Sequence, residues 1–346
     1  MEINRKENRV CIRCATFNQS RYIEDAMNGF VMQETDFPFV AVVMDDASTD
    51  GEPQILSEYY YRFFNHEDSK VAYRKETEFG TILFAQHRVN KNCYFAIVLL
   101  KENHFSQKKS KLPYYSLWSD EVPYIALCEG DDYWTDPLKL QKQVDYLEAH
   151  PDCMLCVHAA EWKTGDRIYP HGCQEVVPRD YSVEDLILCG GLFFSTASFV
   201  FRIELDSDCP EWRLKAGVGD FPLQILAGLH GNVHYLPDRM CVYRYQRDGS
   251  WSASIRKQDV HSAFYKNKIE WMRMLDDATG HKYQKAIYNQ LSLPYSSLYS
   301  RHEISFWEYA KAIQKSSKKG GVRLLKVFIR FNFNSIYSLL KNLRRQ

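Results

Sequence analysis

The sequence predicts an α/β fold with a mostly parallel central sheet, followed by a helical C-terminal region. Short apolar runs of strand length alternate with segments of helical periodicity over roughly the first 160 residues. The apolar runs are nearly continuous, as expected for strands that helices cover on both faces. Beyond Trp251 only the helical pattern continues. We therefore expect one domain over 1–252 and a helical region over 253–346.

The first elements follow from periodicity. The run from Val10 to Ala15 is typical of a strand, and apolar residues at helical spacing follow it from Ile23 to Val31. A second buried strand is predicted from Phe39 to Met44. The turn sequence DDASTDG then leads into a second helical pattern that runs from Ile55 to Phe63. Two successive β–α units of this kind favour a parallel pair of strands.

The middle of the chain fits this alternation less regularly. The stretch of about 75–122 combines the apolar run YFAIVLL with the polar run ENHFSQKKSK, and we interpret it as an insertion or mobile loop. A buried strand is predicted from Tyr124 to Cys128. After it, Asp136 fits a helix N-cap with Pro137 at the first helical position.

Four further elements are predicted before the C-terminal helices. Ser182 and Asp185 have the spacing of a capping box at the start of a helix. The sequence FSTASFVFR is typical of a strand, 220–229 has helical periodicity, and 240–245 is typical of a last strand.

Composition excludes several classes of protein. The 346 residues include 45% hydrophobic and 14% aromatic residues, which is enough to bury a sizeable core. Lys+Arg and Asp+Glu both number 44, so no global basic field exists to bind nucleic acid. The start of the chain lacks a signal-peptide pattern, and no apolar run is long enough to span a bilayer. We expect a cytoplasmic protein whose ten cysteines are reduced.

Two Cys-x-x-Cys pairs, Cys11/Cys14 and Cys153/Cys156, have a spacing that can chelate zinc. Both pairs lie in strand-like segments. Side chains three residues apart in a strand point to opposite faces and cannot reach one metal ion. We therefore expect buried structural thiols at these positions.

Acidic residues follow two of the predicted strands. Asp45 and Asp46 end one strand, while Glu129, Asp131 and Asp132 come directly after another. Ligands of open α/β sheets bind beyond the carboxyl ends of the strands. Clustered carboxylates there suit Mg²⁺ or Mn²⁺, which proteins commonly hold together with substrate phosphates. The alternative is an acidic turn that binds nothing.

Three motifs in order, VCIRCATFN, VVMDDASTDG and YIALCEGDDYWTDPLKLQKQVDYL, resemble those of family 2 inverting glycosyltransferases of the bacterial polysaccharide type. The resemblance covers about 8–252 and implies the GT-A nucleotide-sugar-binding fold, a nucleotide-sugar donor of the UDP-sugar kind, and Mn²⁺ or Mg²⁺ as cofactor. Asp131 and Asp132 match the metal-binding positions. The positions matched to donor binding are Thr16, Phe17, Asn18, Asp46, Glu129, Asp131, Arg244 and Trp251.

The resemblance implies a catalytic base and shows two departures from the family pattern. Asp220, in AGVGDFPLQ, matches the base, although it also fits an N-cap or first-turn acid of a helix. Glu129 stands where many members have Asp, and Gln246 where many have His. Arg244 fits either a diphosphate contact or a structural ion pair. Trp251 fits either stacking on a sugar or packing within the protein.

The segment 320–346 carries six basic residues, no acidic one, and many apolar residues. This mixture can lie in a membrane interface against anionic lipid on the inner face, which would suit a glycan or lipid-linked acceptor. The alternative is a helix packed on the catalytic domain or on a dimer partner.

Two other functions remain open from sequence. A sugar-phosphate nucleotidyltransferase would use a related site, but CATFNQSRYI lacks the Gly-rich loop expected after its first strand. A catalytically silent carbohydrate-binding scaffold is favoured only by Gln246.

Overall fold

The computed structural model describes residues 8–245 and 258–316. The chain divides into two compact units. The first comprises Met1–Tyr181, Leu192–Asp208 and Leu226–Arg247, and the second comprises Ser182–Gly191, Cys209–Ile225 and Asp248–Gln346. The last division lies close to the boundary expected at 252, but two earlier segments also belong to the second unit.

The strands, in chain order, are β1 (Val10–Thr16), β2 (Phe39–Asp45), β3 (Ala72–Glu76), β4 (Gly80–Gln86), β5 (Cys93–Leu100), β6 (Tyr124–Leu127), β7 (Tyr133–Trp134), β8 (Cys153–Thr164), β9 (Arg167–His171), β10 (Arg179–Tyr181), β11 (Val200–Arg202) and β12 (Asn232–Arg244).

The α-helices are α1 (Ile23–Val31), α2 (Glu52–Phe63), α3 (Leu112–Ser119), α4 (Lys139–Ala149), α5 (Val183–Cys189), α6 (Glu204–Ser207), α7 (Glu211–Lys215), α8 (Asp220–His230), α9 (Gln258–Ala278), α10 (Gln284–Ser300) and α11 (Phe306–Ser316).

Within the described ranges, the strands form one sheet in the order β10-β12-β8-β11-β6-β1-β2-β5-β4-β3, with β7 paired to β12 and β9 to β8. Its centre, β6-β1-β2-β5, is parallel, as predicted. Antiparallel strands flank this centre on both sides. The carboxyl ends of the central strands therefore meet at one edge of the sheet.

The parallel centre is the core of the first unit. All seven residues of β2 are buried, because its run FVAVVMD is covered on both faces. Helix α1 buries Ile23, Met27 and Phe30 on one face. The ring of Phe30 packs edge-on against Trp134, with centroids 4.9 Å apart. These contacts pack α1 against β7.

The stretch 75–122 has regular structure, which differs from its interpretation as an insertion or mobile loop. It contains β4, β5 and α3, and β5 pairs in parallel with β2 along its length. The run YFAIVLL is thus a central strand. The alternation of strands and helices did not predict this strand, because β5 follows the antiparallel strand β4 rather than a helix.

One helix and one strand have boundaries in the structure that differ from the predicted ones. Helix α4 begins at Lys139, and Asp136 instead accepts a hydrogen bond from the Leu138 N–H at 2.8 Å in the preceding turn. The predicted strand FSTASFVFR is reduced to Val200–Arg202, preceded by a short 3₁₀ turn.

The cysteine prediction is confirmed. Cys11, Cys14, Cys153 and Cys156 are all buried and free. Burial raises the pKa of Cys11 to about 12 and that of Cys153 to about 11, so neither thiol ionises readily.

The second unit contains α5, α7 and the helices α9 to α11. The predicted capping box is present: the Ser182 hydroxyl accepts from the Asp185 N–H at 3.2 Å, and the Asp185 carboxylate accepts from the Ser182 N–H at 3.2 Å. Trp271 of α9 stacks on Trp212 and meets Phe221 edge-on, which forms the apolar centre of this unit.

No helix over 8–245 and 258–316 is long and apolar enough to cross a membrane. Gln246, Trp251 and the basic segment 320–346 lie outside the described residues. The membrane contact and the peripheral cytoplasmic location therefore stay predictions.

Candidate active site

Three motifs predicted from sequence meet at one edge of the sheet. β1 pairs in parallel with β2 and with β6, so their carboxyl ends lie side by side. Thr16 lies opposite Asp45 in the register. The Asp46 N–H donates to the Thr16 carbonyl, and the Gly130 N–H donates to the Ala15 carbonyl, both at 3.0 Å. This edge contains the site residues of the first unit.

Glu52 organises the loops behind Thr16, although the sequence analysis did not identify it. Its buried carboxylate accepts hydrogen bonds from the Thr16 hydroxyl, the Gln19 N–H at 2.8 Å and the Ser48 hydroxyl at 2.9 Å. Burial raises the pKa of Glu52, and these hydrogen bonds oppose the rise. The available signal was an acid in the first turn of a helix directly after a Ser-Thr-Asp-Gly turn.

Asn18 makes hydrogen bonds between two loops, whereas Phe17 presents an exposed ring. The Asn18 N–H donates to the Ser48 hydroxyl, and the Asn18 side-chain carbonyl accepts from the Thr49 N–H, both at 2.8 Å. Asn18 thus clamps the loop after β1 to the loop after β2. Phe17 is 43% exposed, so its ring is available to a ligand.

Asp46 is bound by the segment that follows β5. Its buried carboxylate accepts from the N–H groups of His104 at 2.7 Å and Phe105 at 3.0 Å, and pairs with the Lys111 ammonium at 2.9 Å. The Asn103 side chain also donates to the Asp46 carbonyl at 3.0 Å. Contact between Asp46 and the donor stays a prediction, and the donor would have to share the carboxylate with this segment.

Asp45 is a buried carboxyl beside Asp46. Its Oδ2 accepts from the Ser48 N–H at 3.2 Å, whereas Oδ1 has no hydrogen-bond partner in the part of the chain that the structure describes. Burial raises the pKa of Asp45 to about 6, with a further contribution from Glu52 and with Ser48 opposing.

The stability of Asp45→Asn relative to the wild type is expected to increase as the pH rises from about 4 to 7. The pKa of Asp45 is about 6 in the folded state, above the ordinary 3.8, so ionising this carboxyl costs the folded state free energy. The difference between the two pKa values corresponds to about 3 kcal/mol of folding free energy. Urea unfolding of both proteins across this pH range measures it.

The exposed Asp36 provides the control for this prediction. Asp36→Asn, a substitution at the surface, should change the free energy of unfolding by no more than about 0.5 kcal/mol. A stability difference for Asp45→Asn that is equal at both ends of the range would contradict the account.

The acid loop, Glu129–Asp132, follows β6 directly. Asp132 is buried, and burial followed by the charges of Asp131 and Glu129 raises its pKa well above the ordinary range. The Arg244 N–H donates to Asp132 Oδ1 at 2.9 Å and favours the ionised form. A cation bound here would relieve the same repulsion.

Gly130 fits the acid loop closely against β1. A Cβ atom at this position would lie 2.4 Å from the Thr16 hydroxyl and 2.6 Å from the Gln19 side-chain carbonyl. Glu52 fixes both of these residues. The position of the acid loop therefore depends on a glycine between Glu129 and Asp131.

Arg244 makes structural contacts with the acid loop. Its guanidinium donates to the Asp131 carbonyl at 2.5 Å, pairs with the Asp25 carboxylate, and lies over the rings of Tyr22 and Tyr133. The ion pair with Asp25 is the structural alternative that the sequence left open for Arg244. A diphosphate contact by Arg244 stays a prediction.

Asp220 begins α8 and is half-buried. Burial raises the pKa of its carboxyl, and hydrogen bonds from the N–H groups of Phe221 and of Asp220 itself oppose the rise. A carboxyl with a raised pKa is a better proton acceptor than an ordinary aspartate. Its role as base stays a prediction.

One group of three metal-ligating side chains is found in the two described ranges. It consists of Asp276, Asp277 and His281, whose ligand atoms lie within 4.8 Å of one another. The group lies in the second unit and does not include the predicted ligands Asp131 and Asp132.

The mixed α/β fold, with its large central sheet and C-terminal helices, is of the GT-A class. Two solved structures of S. aureus TarS 1–349 share it. The complex with UDP-GlcNAc has a TM-score of 0.56 at 16% identity and covers 98% of this chain and 92% of that one. The complex with UDP has a TM-score of 0.54 at 14% identity and covers 96% and 91%.

The family follows from sequence comparison. The chain is 33% identical over 296 residues to Uncharacterized protein Rv1520 of Mycobacterium tuberculosis and Uncharacterized protein Mb1547 of Mycobacterium bovis. These matches cover 80% of this chain and 71% of each relative, so the chain belongs to the same family. No family model matches.

Proposed function

We propose that the protein is a glycosyltransferase that moves a sugar from a nucleotide diphosphate to a hydroxyl of a glycan or lipid-linked acceptor. The observation that carries this proposal is the meeting of Thr16, Asp46 and Asp132 at one edge of the sheet. The fold shared with TarS, whose structures contain UDP-GlcNAc and UDP, supports a nucleotide-sugar donor.

The donor's nucleoside would lie against the end of β1. Phe17 offers an exposed ring. Glu52 holds Thr16 at the end of β1, and Ser48 holds Asn18 in the loop that follows. A rigid loop loses little entropy when a ligand binds. We assign Asp46 to binding of the donor's nucleobase, together with the segment after β5 that already binds the Asp46 carboxylate.

The acid loop would hold the cation and the diphosphate. Asp131 and Asp132 would ligate Mn²⁺ or Mg²⁺, with Glu129 beside them, because hard oxygen donors suit these ions. When bound, the ion supplies positive charge to the departing diphosphate. Arg244 positions this loop through its bonds to Asp131 and Asp132.

The proposed chemistry is a single displacement. Asp220 accepts the proton of the acceptor hydroxyl while that oxygen attacks the anomeric carbon, and the nucleoside diphosphate leaves from the opposite face. The product therefore has inverted configuration. Assistance by a general base contributes roughly 10² to 10⁴ in rate.

The proposal is tested by a panel of sugar nucleotides, with and without Mn²⁺, scored by thermal shift. A ligand at a concentration of 100 times its Kd stabilises the folded state by about 2.7 kcal/mol. We expect at least one UDP-sugar to raise the melting temperature in the presence of Mn²⁺, with nucleoside monophosphates as controls. A flat response across the panel would contradict the function.

A further inference from the structure

The hairpin of β8 and β9 presents aromatic side chains on one face. In the register, Trp162 lies opposite Tyr169 of β9 and opposite Tyr243 of β12, and Thr164 lies opposite Arg167. Directly paired residues of neighbouring strands share a face of the sheet. The side chains of three adjacent strands thus converge on one surface.

This surface contains an open groove of about 610 Å³. The residues that line it are Trp162, Thr164, Arg167, Tyr169, Pro170 and Tyr245. The rings of Trp162 and Tyr245 lie 4.7 Å apart at 33°. Tyr169 is 43% exposed. Trp162 and Tyr245 are half-buried. Large rings are ordinarily buried, so rings that stay partly exposed along one groove indicate a binding surface.

The groove and the acid loop are connected through β12. Tyr245 directly follows Arg244, whose N–H bonds Asp132, and the Tyr245 N–H donates to the Lys163 carbonyl at 3.0 Å. The acid loop runs into β7, which pairs with β12, which pairs with β8, which pairs with β9. Three spacings between strands amount to roughly 14 Å, a distance that a short oligosaccharide spans.

We propose that this aromatic groove binds a saccharide portion of the acceptor, a proposal that rests on the glycosyl-transfer function proposed above. Pyranose rings present flat faces of C–H groups, which pack on aromatic rings, and hydroxyl groups at their edges. Trp162, Tyr169 and Tyr245 provide the ring faces, while Arg167 and Thr164 provide hydrogen-bond partners at the rim.

The proposal is tested with three uncharged probes: chitotriose, cellotriose and maltotriose. Saturation-transfer NMR with the full chain measures binding of each probe. We expect at least one to bind, and Trp162→Ala and Tyr169→Ala each to weaken its binding about tenfold, the loss of one well-packed ring contact. Tyr61→Ala is the matched control, because Tyr61 is also 43% exposed but lies on α2.

The outcomes separate this proposal from the proposed function. Sugar-nucleotide thermal shifts should be unchanged in Tyr169→Ala, an exposed position whose loss leaves folding intact. Binding of a probe that persists in both groove variants, or a wild type that binds none of the three, would overturn the groove assignment. Failure of the thermal-shift panel alone would instead overturn the donor assignment.

Discussion

Replacing Asp220 by Asn is expected to lower the rate of sugar transfer by roughly 10² to 10⁴, the contribution of a general base. Donor binding should persist, because Asn preserves the shape of the side chain and its place at the start of α8. Steady-state kinetics should therefore show a fall in kcat with little change in the donor KM.

The pH profile gives this prediction a second readout. Because burial raises the pKa of Asp220, the acid limb of the wild-type rate profile should lie above the pH at which an ordinary aspartate titrates. The matched control is Glu211→Gln, at an exposed acid on the neighbouring helix α7. Turnover retained by Asp220→Asn would remove Asp220 from the role of base.

Replacing Asp132 by Asn is expected to abolish the dependence of transfer on Mn²⁺ or Mg²⁺ and to lower the rate by about 10² or more, since cation stabilisation of a leaving group is worth several kcal/mol. The Asn side-chain carbonyl can still accept from the Arg244 N–H, so the acid loop should remain folded. Metal titrations of activity with and without chelator measure the effect.

Stability provides the internal check on Asp132. Removing a buried carboxylate whose pKa burial has raised should leave the apo protein at least as stable as the wild type at neutral pH. Asp120→Asn, at an exposed acid in the same unit, is the control. A variant that is inactive only because it is unfolded would contradict the assignment, as would full activity in chelator.

The strands that carry the site were predictable from sequence because they are buried on both faces. Continuous apolar runs such as Phe39–Asp45 leave no solvent face, and they end where the first acid occurs. Parallel strands place their carboxyl ends at one edge of a sheet, so it was predictable that Thr16, Asp46 and Asp132 lie at the same edge.

The contacts between these residues were not predictable, because they join distant parts of the chain. Glu52 looked like an ordinary first-turn acid, yet it binds the Thr16 hydroxyl from 36 residues away. Lys111 reaches Asp46 across 65 residues, from a segment interpreted as a mobile loop. No periodicity encodes such pairings, since they depend on how loops pack.

The aromatic groove was not predictable from sequence for the same reason, because its residues come from distant parts of the chain. Trp162 and Tyr169 lie in one hairpin, but Tyr245 joins them only because β12 pairs in parallel with β8. A parallel pairing of strands so far apart in the chain has no local signature in the sequence.

The most direct test is a crystal structure of the protein with UDP and Mn²⁺, measured with anomalous scattering at the manganese edge. The account predicts an anomalous peak bonded to a carboxylate oxygen of Asp131 or Asp132 and to oxygens of the diphosphate. A peak at Asp276, Asp277 and His281 with none at the acid loop, or UDP bound away from the end of β1, would contradict it.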